Sequence, residues 1–431
     1  MNEHLPSIKN HTDRSPQFHL FRYALAILAL LSWPLGMLCG ERLAGARYDA
    51  LVFHWPTTKA FADHLNWHAL AEYDSATMPL FHILLAQVPG VGDFTVYRTI
   101  GFIIGCMALA AVGCAIHRRF RPFLRDRSLI ALLIGAVALS PGLRDATFWG
   151  STDALPLLFL GLSVLLLTDP VTGDWLDRVS GARTVAIAMI SAAAFYTRQQ
   201  YIVVPVLAWW LLLRRSRFGA LGVTGLFVAA AAPAAALLVT WHGLTTPSHQ
   251  GQQSLNPFNL IIVGAALFPT ALPFVLSLRR PATKRILVVA GTGAALGLVL
   301  SFLPLGISGV GGGIVIKLAM LLGPRGGIIV VSAIAALGWW TLISAARTHR
   351  DNALVALLVV TPLAIASPLY ERYIDPIAPI SIILLATPGV SRTLVQRHSI
   401  PMLFCLMLTL EVVTLTWFQI WGHAVPVPPG Y

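Results

Sequence analysis

The run VYRTIGFIIGCMALAAVGCAIHRR, residues 96–119, decides the fold. Between Ile100 and Ile116 it carries no ionisable side chain other than two cysteine thiols, and it then stops in His117-Arg118-Arg119. About twenty apolar residues at ~1.5 Å each cross the hydrocarbon core of a bilayer. Cations crowded just past the end of such a run mark its cytoplasmic flank.

The same reading extends along the chain. Apolar segments fall at 22–40, 96–116, 128–142, 152–167, 184–197, 201–213, 219–241, 257–278, 286–303, 326–345, 353–369, 374–388 and 400–421. That is about thirteen transmembrane helices at ~20 residues per crossing, so the expected fold class is all-α, a polytopic integral membrane protein. Numbering the loops alternately puts most of the 30 Lys and Arg on one side, in clusters such as Arg214-Arg215-Ser216-Arg217 and Arg279-Arg280. That side is the cytoplasm by the positive-inside rule. The first segment lacks a small-residue cleavage site and reads as a retained span, with the N-terminus inside and the tail Gly422–Tyr431 outside.

Composition excludes other classes. Only 11% of the 431 residues are charged, against about a quarter in soluble domains. The net charge of +12 sits in short loops between apolar spans. It is read as orientation and contact with anionic membrane lipids, not as nucleic-acid binding. Cys39, Cys106, Cys114 and Cys405 lie in or beside apolar spans without metal or disulfide spacing. His64 and His68 stand four apart, with His82 further on, but no Glu occupies the metalloprotease position, so no metal site is expected.

The outer loops hold the unusual polar residues: Asp49, His54, Asp74, Arg144, Asp145, Asp153, Arg198, His249, Glu371 and Arg372. Ionisable groups gathered at one face of an apolar bundle suggest a functional site. The first outer loop, 41–95, is too long for a connector, so structure of its own is expected. Interfacial helices fit near Pro56–Leu70 and Pro79–Val88. The loop 304–325 holds Gly309-Val310-Gly311-Gly312-Gly313, but no strand precedes it and no Gly-Lys-Ser follows, so it is not a nucleotide loop.

Each polar motif has a functional and a plain reading. Tyr48-Asp49 before Phe53-His54 is a general-base candidate, because partial desolvation lifts a carboxylate pKa, or a solvated loop acid. Tyr73-Asp74-Ser75-Ala76-Thr77-Met78-Pro79 is a sugar contact or a turn. Ser151-Thr152-Asp153 is a carbohydrate contact or a helix cap. Arg198 in Tyr196-Thr197-Arg198-Gln199-Gln200 binds phosphate or snorkels. Tyr370-Glu371-Arg372-Tyr373 meets a lipid phosphate and a sugar, or is a structural pair.

Taken in order, these motifs resemble the alpha-1,2-glucosyltransferases that add the terminal glucose of the eukaryotic N-glycan precursor from dolichyl-phosphate glucose, a branch of the GT-C membrane glycosyltransferases. The resemblance covers roughly 22–390. The family's acidic pair and Phe-His correspond to Asp49 and Phe53-His54. Its Trp-Asp-Pro and Ile-Thr-Thr-Pro-Pro correspond to Tyr73-Asp74-Ser75 and Thr77-Met78-Pro79. Its Tyr-Thr-Asp corresponds to Ser151-Thr152-Asp153, and its Arg-Gln-Thr-Asn to Arg198-Gln199-Gln200. The stretch from His249 to Ser254 faintly resembles its Gly-Asp-Lys-Ser-Asn-His, and Glu371-Arg372-Tyr373 its Glu-x-Arg-Tyr. The sequence departs where Ala50 replaces the second acid, where the step to Phe-His is one residue longer, and where Thr-Asn after Arg-Gln is absent.

The resemblance implies one GT-C-like domain over 1–431 that transfers a hexose, glucose in the family, from a polyprenyl-phosphate sugar to a lipid-linked or extracytoplasmic glycan, with inversion. Asp49 is then the base, Arg198 and Arg372 hold the donor phosphate, and His54, Asp74, Asp153, Gln199, His249, Glu371 and Tyr373 contact sugar or acceptor. The lipid-linked donor makes a cofactor unnecessary. The compact loops suggest a bacterial inner-membrane relative with its site on the extracytoplasmic side. The alternative is a transporter or flippase of a lipid-linked saccharide, which needs polar groups deep in the spans and is weakened by the lack of an internal repeat.

Overall fold

The computed structural model describes residues 16–39, 44–252, 258–277, 283–302, 313–346, 350–365, 384–385 and 398–416. Among them the chain is all-helical, with two isolated bridges, Thr168 with Trp175 and Val179 with Ser216, and no strand. Four helices are long and apolar enough to cross a membrane: α1 (Pro16–Cys39), α6 (Phe94–Phe120), α12 (Gly219–Trp241) and α16 (Gly323–Ala346). Between α1 and α6 lie α2 (Ala44–Asp49), a π-helical turn (Ala50–His54), α3 (Trp55–Asp63), α4 (Trp67–Glu72) and α5 (Leu80–Ala86). The structured first loop is thus a set of short helices. The interfacial helix expected near 56–70 is two helices, parted where Asn66 accepts the Ala69 N–H at 2.9 Å and starts α4.

Helix α6 starts where the Asp93 side chain accepts the Thr95 N–H at 2.6 Å, and it ends in His117, Arg118 and Arg119. An anion at the first turn and cations at the last both suit the helix dipole. The segment expected to cross at 128–142 is instead a bent pair, α7 (Arg127–Ala138) and α8 (Pro141–Trp149), with 60° between them. Pro141 has no N–H to continue α7, and Ser140 caps the new helix on Leu143 N. Gly150, at φ 70°, ends α8 in the left-handed conformation. If the pair counts as one span, five segments among the described residues are long and apolar enough to cross. The helices α9 (Ala154–Leu167), α10 (Gly181–Thr197), α11 (Val203–Leu212) and α18 (Ser399–Leu415) are apolar but shorter. Of the expected span 374–388, only Leu384 and Leu385 are described.

Small residues bring the helices together. A Cβ on Gly101 of α6 would run into the Gly150 backbone, one on Gly105 into the Thr147 side chain, and one on Gly161 of α9 into the Ala111 backbone. Close backbone approach of this kind supplies helix contacts where lipid offers no hydrophobic drive. Leu129, Leu133, Leu157, Leu160, Val164 and Ile187 lie fully buried at the centre of the main core. A second cluster, Phe61, Tyr73, Met78, Ala234, Leu237 and Trp241, locks the first loop onto α12. Trp241 Nε1 donates to Leu70 O at 3.1 Å across that joint. The outer faces of α1 and α12 expose Leu28, Leu31, Leu35, Leu221, Val228 and Val239. Contiguous exposed apolar faces of this extent suit hydrocarbon, not water.

Candidate functional site

The first loop carries the site because its turns are clamped from two other parts of the chain. The stretch Tyr73–Pro79 is a turn, as the plain reading has it: Tyr73 Oη donates to Thr77 O, and the Ser75 and Thr77 hydroxyls meet at 3.0 Å. Gln199, after α10, donates its Nε2 to Ala76 O at 3.1 Å and to Leu244 O at 2.8 Å. Thr246 Oγ1 donates to Ser75 O at 3.1 Å. Asp74 is left at the tip, its side chain 65% exposed, with its carboxylate 2.9 Å from His249 Nε2. His249 sits on a 3-10 turn (Pro247–Gln252), and Phe53 packs edge-on to its ring at 5.5 Å.

Phe53 and His54 belong to the π turn, and Asp49 is the last residue of α2 before it. A π turn pairs residues five apart, so Phe53 and His54 lie one turn above a half-buried Asp49. Beneath Phe53 the chain turns inward to a buried imidazole pair, with His54 Nδ1 3.2 Å from His82 Nε2 of α5. Phe61, Tyr73 and Phe81 wall His82 with their rings. Burial, then the neighbouring His54 and Arg198, hold His82 well below the ordinary imidazole range. Burial likewise pushes the Tyr73 phenol up. His82 is therefore a neutral ring able to hand a single hydrogen bond to or from His54.

Arg198 closes the inner side. It ends α10 in extended conformation, and only 6% of its side chain is exposed. Its Nε lies 2.9 Å from Asp153 Oδ1 and donates to Thr152 Oγ1 at 2.8 Å, while Ser151 Oγ donates to Asp153 Oδ2 at 3.0 Å. Asp153 stands at the start of α9, where a carboxylate suits the helix dipole, and makes no side-chain cap bond there; Arg198 is enclosed instead of snorkelling. The expected phosphate role of Arg198 must also allow for a carboxylate that already offsets its charge.

The structure thus pairs Asp74 with His249 and Asp153 with Arg198, sets Gln199 on the Tyr73–Pro79 turn and buries His54 against His82, while Asp49 lies one turn before His54 along the chain. Glu371, Arg372 and Tyr373 lie outside the described residues, as do residues 253–257. His64 and His68 are exposed, with His68 3.6 Å from Glu72. Two features were not foreseen. His82 stands in the apolar run Phe81-His82-Ile83-Leu84-Leu85, which was the signal for a buried polar group. Glu411, the lone acid of the apolar α18, is buried with its Oε1 2.6 Å from Arg144 Nε, and Arg144 also donates to Ser32 Oγ at 2.6 Å. The sequence alone groups Arg144 with the polar residues of the outer loops, whereas its side chain is buried against α18. Comparison of the chain with family models, curated proteins and solved structures finds no match.

Proposed function

We propose that the chain is a bacterial inner-membrane glycosyltransferase that moves a hexose from a polyprenyl-phosphate sugar to a lipid-linked or extracytoplasmic glycan. The observation that supports this reading is the joining of the first loop, which carries Asp49 and His54, to Gln199 and His249. Those residues lie up to 200 positions apart, and a transferase needs them around one substrate. In this scheme Asp49 removes the acceptor hydroxyl proton as its oxygen attacks the anomeric carbon from the face opposite the lipid phosphate. The C–O bond to phosphate breaks with inversion, and the phosphate leaves with the bonding pair. The Asp74–His249 pair, at the exposed tip, contacts sugar hydroxyls. The site faces away from the cytoplasm in a bundle of about thirteen spans at ~20 residues each, and Arg372 adds the second donor-phosphate contact.

The test is Asp49→Asn in purified protein in lipid, supplied with polyprenyl-phosphate glucose and a glycan acceptor. General-base catalysis contributes ~10²–10⁴-fold, so turnover should collapse by that factor while donor binding persists. Unchanged turnover would move the base elsewhere. One observation favours the second reading, a transporter or flippase of a lipid-linked saccharide: the Arg144–Glu411 pair is buried between apolar helices. In the same vesicles, sugar-lipid translocation without glycosyl transfer, lost in Glu411→Gln, would establish that reading instead.

A further inference from the structure

Trp149, the last residue of α8, has two guanidinium groups set about its indole. Arg98 of α6 lies 4.4 Å from the ring centroid and Arg47 of α2 lies 5.4 Å from it. Both guanidinium groups thus lie against one and the same ring. Among the described residues neither has a carboxylate within ion-pair distance. Arg98 is fixed in place by donating Nε to Phe148 O at 2.6 Å and Nη2 to Met37 O at 3.3 Å. Arg47 makes no such bonds, and its Nε is buried with no hydrogen-bond partner among the described residues. One indole face offsets a cation by only ~0.5–2 kcal/mol. Two half-buried like charges with no carboxylate in ion-pair distance among the described residues make a place for an anion from outside the chain. Guanidinium forks match the paired oxygens of a phosphate or a carboxylate, and phosphate is the anion that lipid headgroups present to a basic pocket.

We propose that Arg47 and Arg98, set around Trp149, form a binding site for a phosphate monoester anion, separate from the paired Arg198. Arg98 is the fixed half of this site and Arg47 the adjustable half. The site does not depend on glycosyl transfer, because occupancy is read without turnover. Its ligand chemistry is shared by a lipid phosphate headgroup and by free phosphate.

The test is calorimetric titration of the full chain in phosphatidylcholine nanodiscs, first with dodecyl phosphate and then with inorganic phosphate. Dodecyl phosphate should bind saturably. Arg47→Gln should weaken it about ten-fold or more, and Arg47→Lys should weaken it less, because the charge stays while the fork is lost. Arg325→Gln, which removes an arginine stacked on Phe302 elsewhere, should leave binding unchanged. Inorganic phosphate binding as tightly, with the same sensitivity to Arg47→Gln, assigns the site to soluble phosphate. Binding by the alkyl phosphate alone assigns it to a lipid headgroup. Saturable binding that is indifferent to Arg47→Gln in a folded protein, or no saturable binding of either probe, overturns the proposal.

Discussion

Replacing Asp153 by Asn tests whether Arg198 is held as the structure shows it. The side chains of the pair are 3% and 6% exposed and 2.9 Å apart. Direct attraction at that distance is ~6 kcal/mol at an effective dielectric of ~20, and most of it offsets the cost of desolvating both groups. Removing one partner leaves the other charge buried without compensation, which costs ~3–5 kcal/mol. Asn keeps the size of Asp and one acceptor for Ser151, so little of that loss comes from packing. Denaturant or steric-trap unfolding in bicelles would measure it. The pair variant Asp153→Leu with Arg198→Met should recover most of the loss, because no buried charge remains. A loss below ~1 kcal/mol in Asp153→Asn is what an exposed pair gives, and it would refute the enclosed geometry. Turnover adds a second readout: Asp153→Asn frees a charge for the donor phosphate, so donor affinity should rise even as stability falls.

Two further outcomes follow from the site and the packing. The folded His82 titrates below its ordinary 6.5, so the unfolded chain takes up the proton first. Its stabilising contribution is complete above pH ~6.5 and is lost as pH falls towards the folded value. His82→Gln should therefore flatten the fall of unfolding free energy between pH 7 and 5, and an unchanged slope would count against the buried pair. Gly101→Ala places a methyl against the Gly150 backbone and should cost ~1–3 kcal/mol by overpacking. A neutral effect in a thermal melt would mean that α6 and α8 stand further apart.

The helical class was legible because apolar runs such as 96–116 have one physical solution in lipid, the helix that satisfies its own backbone. Where the reading went astray, local chemistry overrode hydropathy. Ser140-Pro141 interrupts an apolar run that averages out as one span, and the 60° bend then carries Arg144 inward to a partner on α18. Periodicity cannot see that partner, since it lies 267 positions away in sequence. The site was partly legible. Polar residues at the ends of apolar runs had to converge if they acted together, and Asp74 with His249 and Arg198 with Asp153 do so. Their pairing was not legible, because each motif also has a local reading: a cap by Ser151 or Thr152 with Asp153 on the helix dipole, and a snorkel for Arg198. His82 was hidden for the opposite reason, as its apolar neighbours made it look like part of an interfacial helix.

The π turn at Ala50–His54 has a consequence for chain length. An α-helix advances ~100° per residue, so one inserted residue would swing everything after it by more than a quarter turn around the axis. A π turn absorbs a surplus residue as a local bulge and keeps the downstream helix α3 in phase. A change of one residue in this turn would therefore be hidden from the rest of the loop, where Phe53 meets His249, His54 meets His82, and Trp55 anchors by donating to Val91 O at 3.0 Å. Spacing counted in residues overstates the divergence of such a motif, whereas spacing counted in turns leaves it intact.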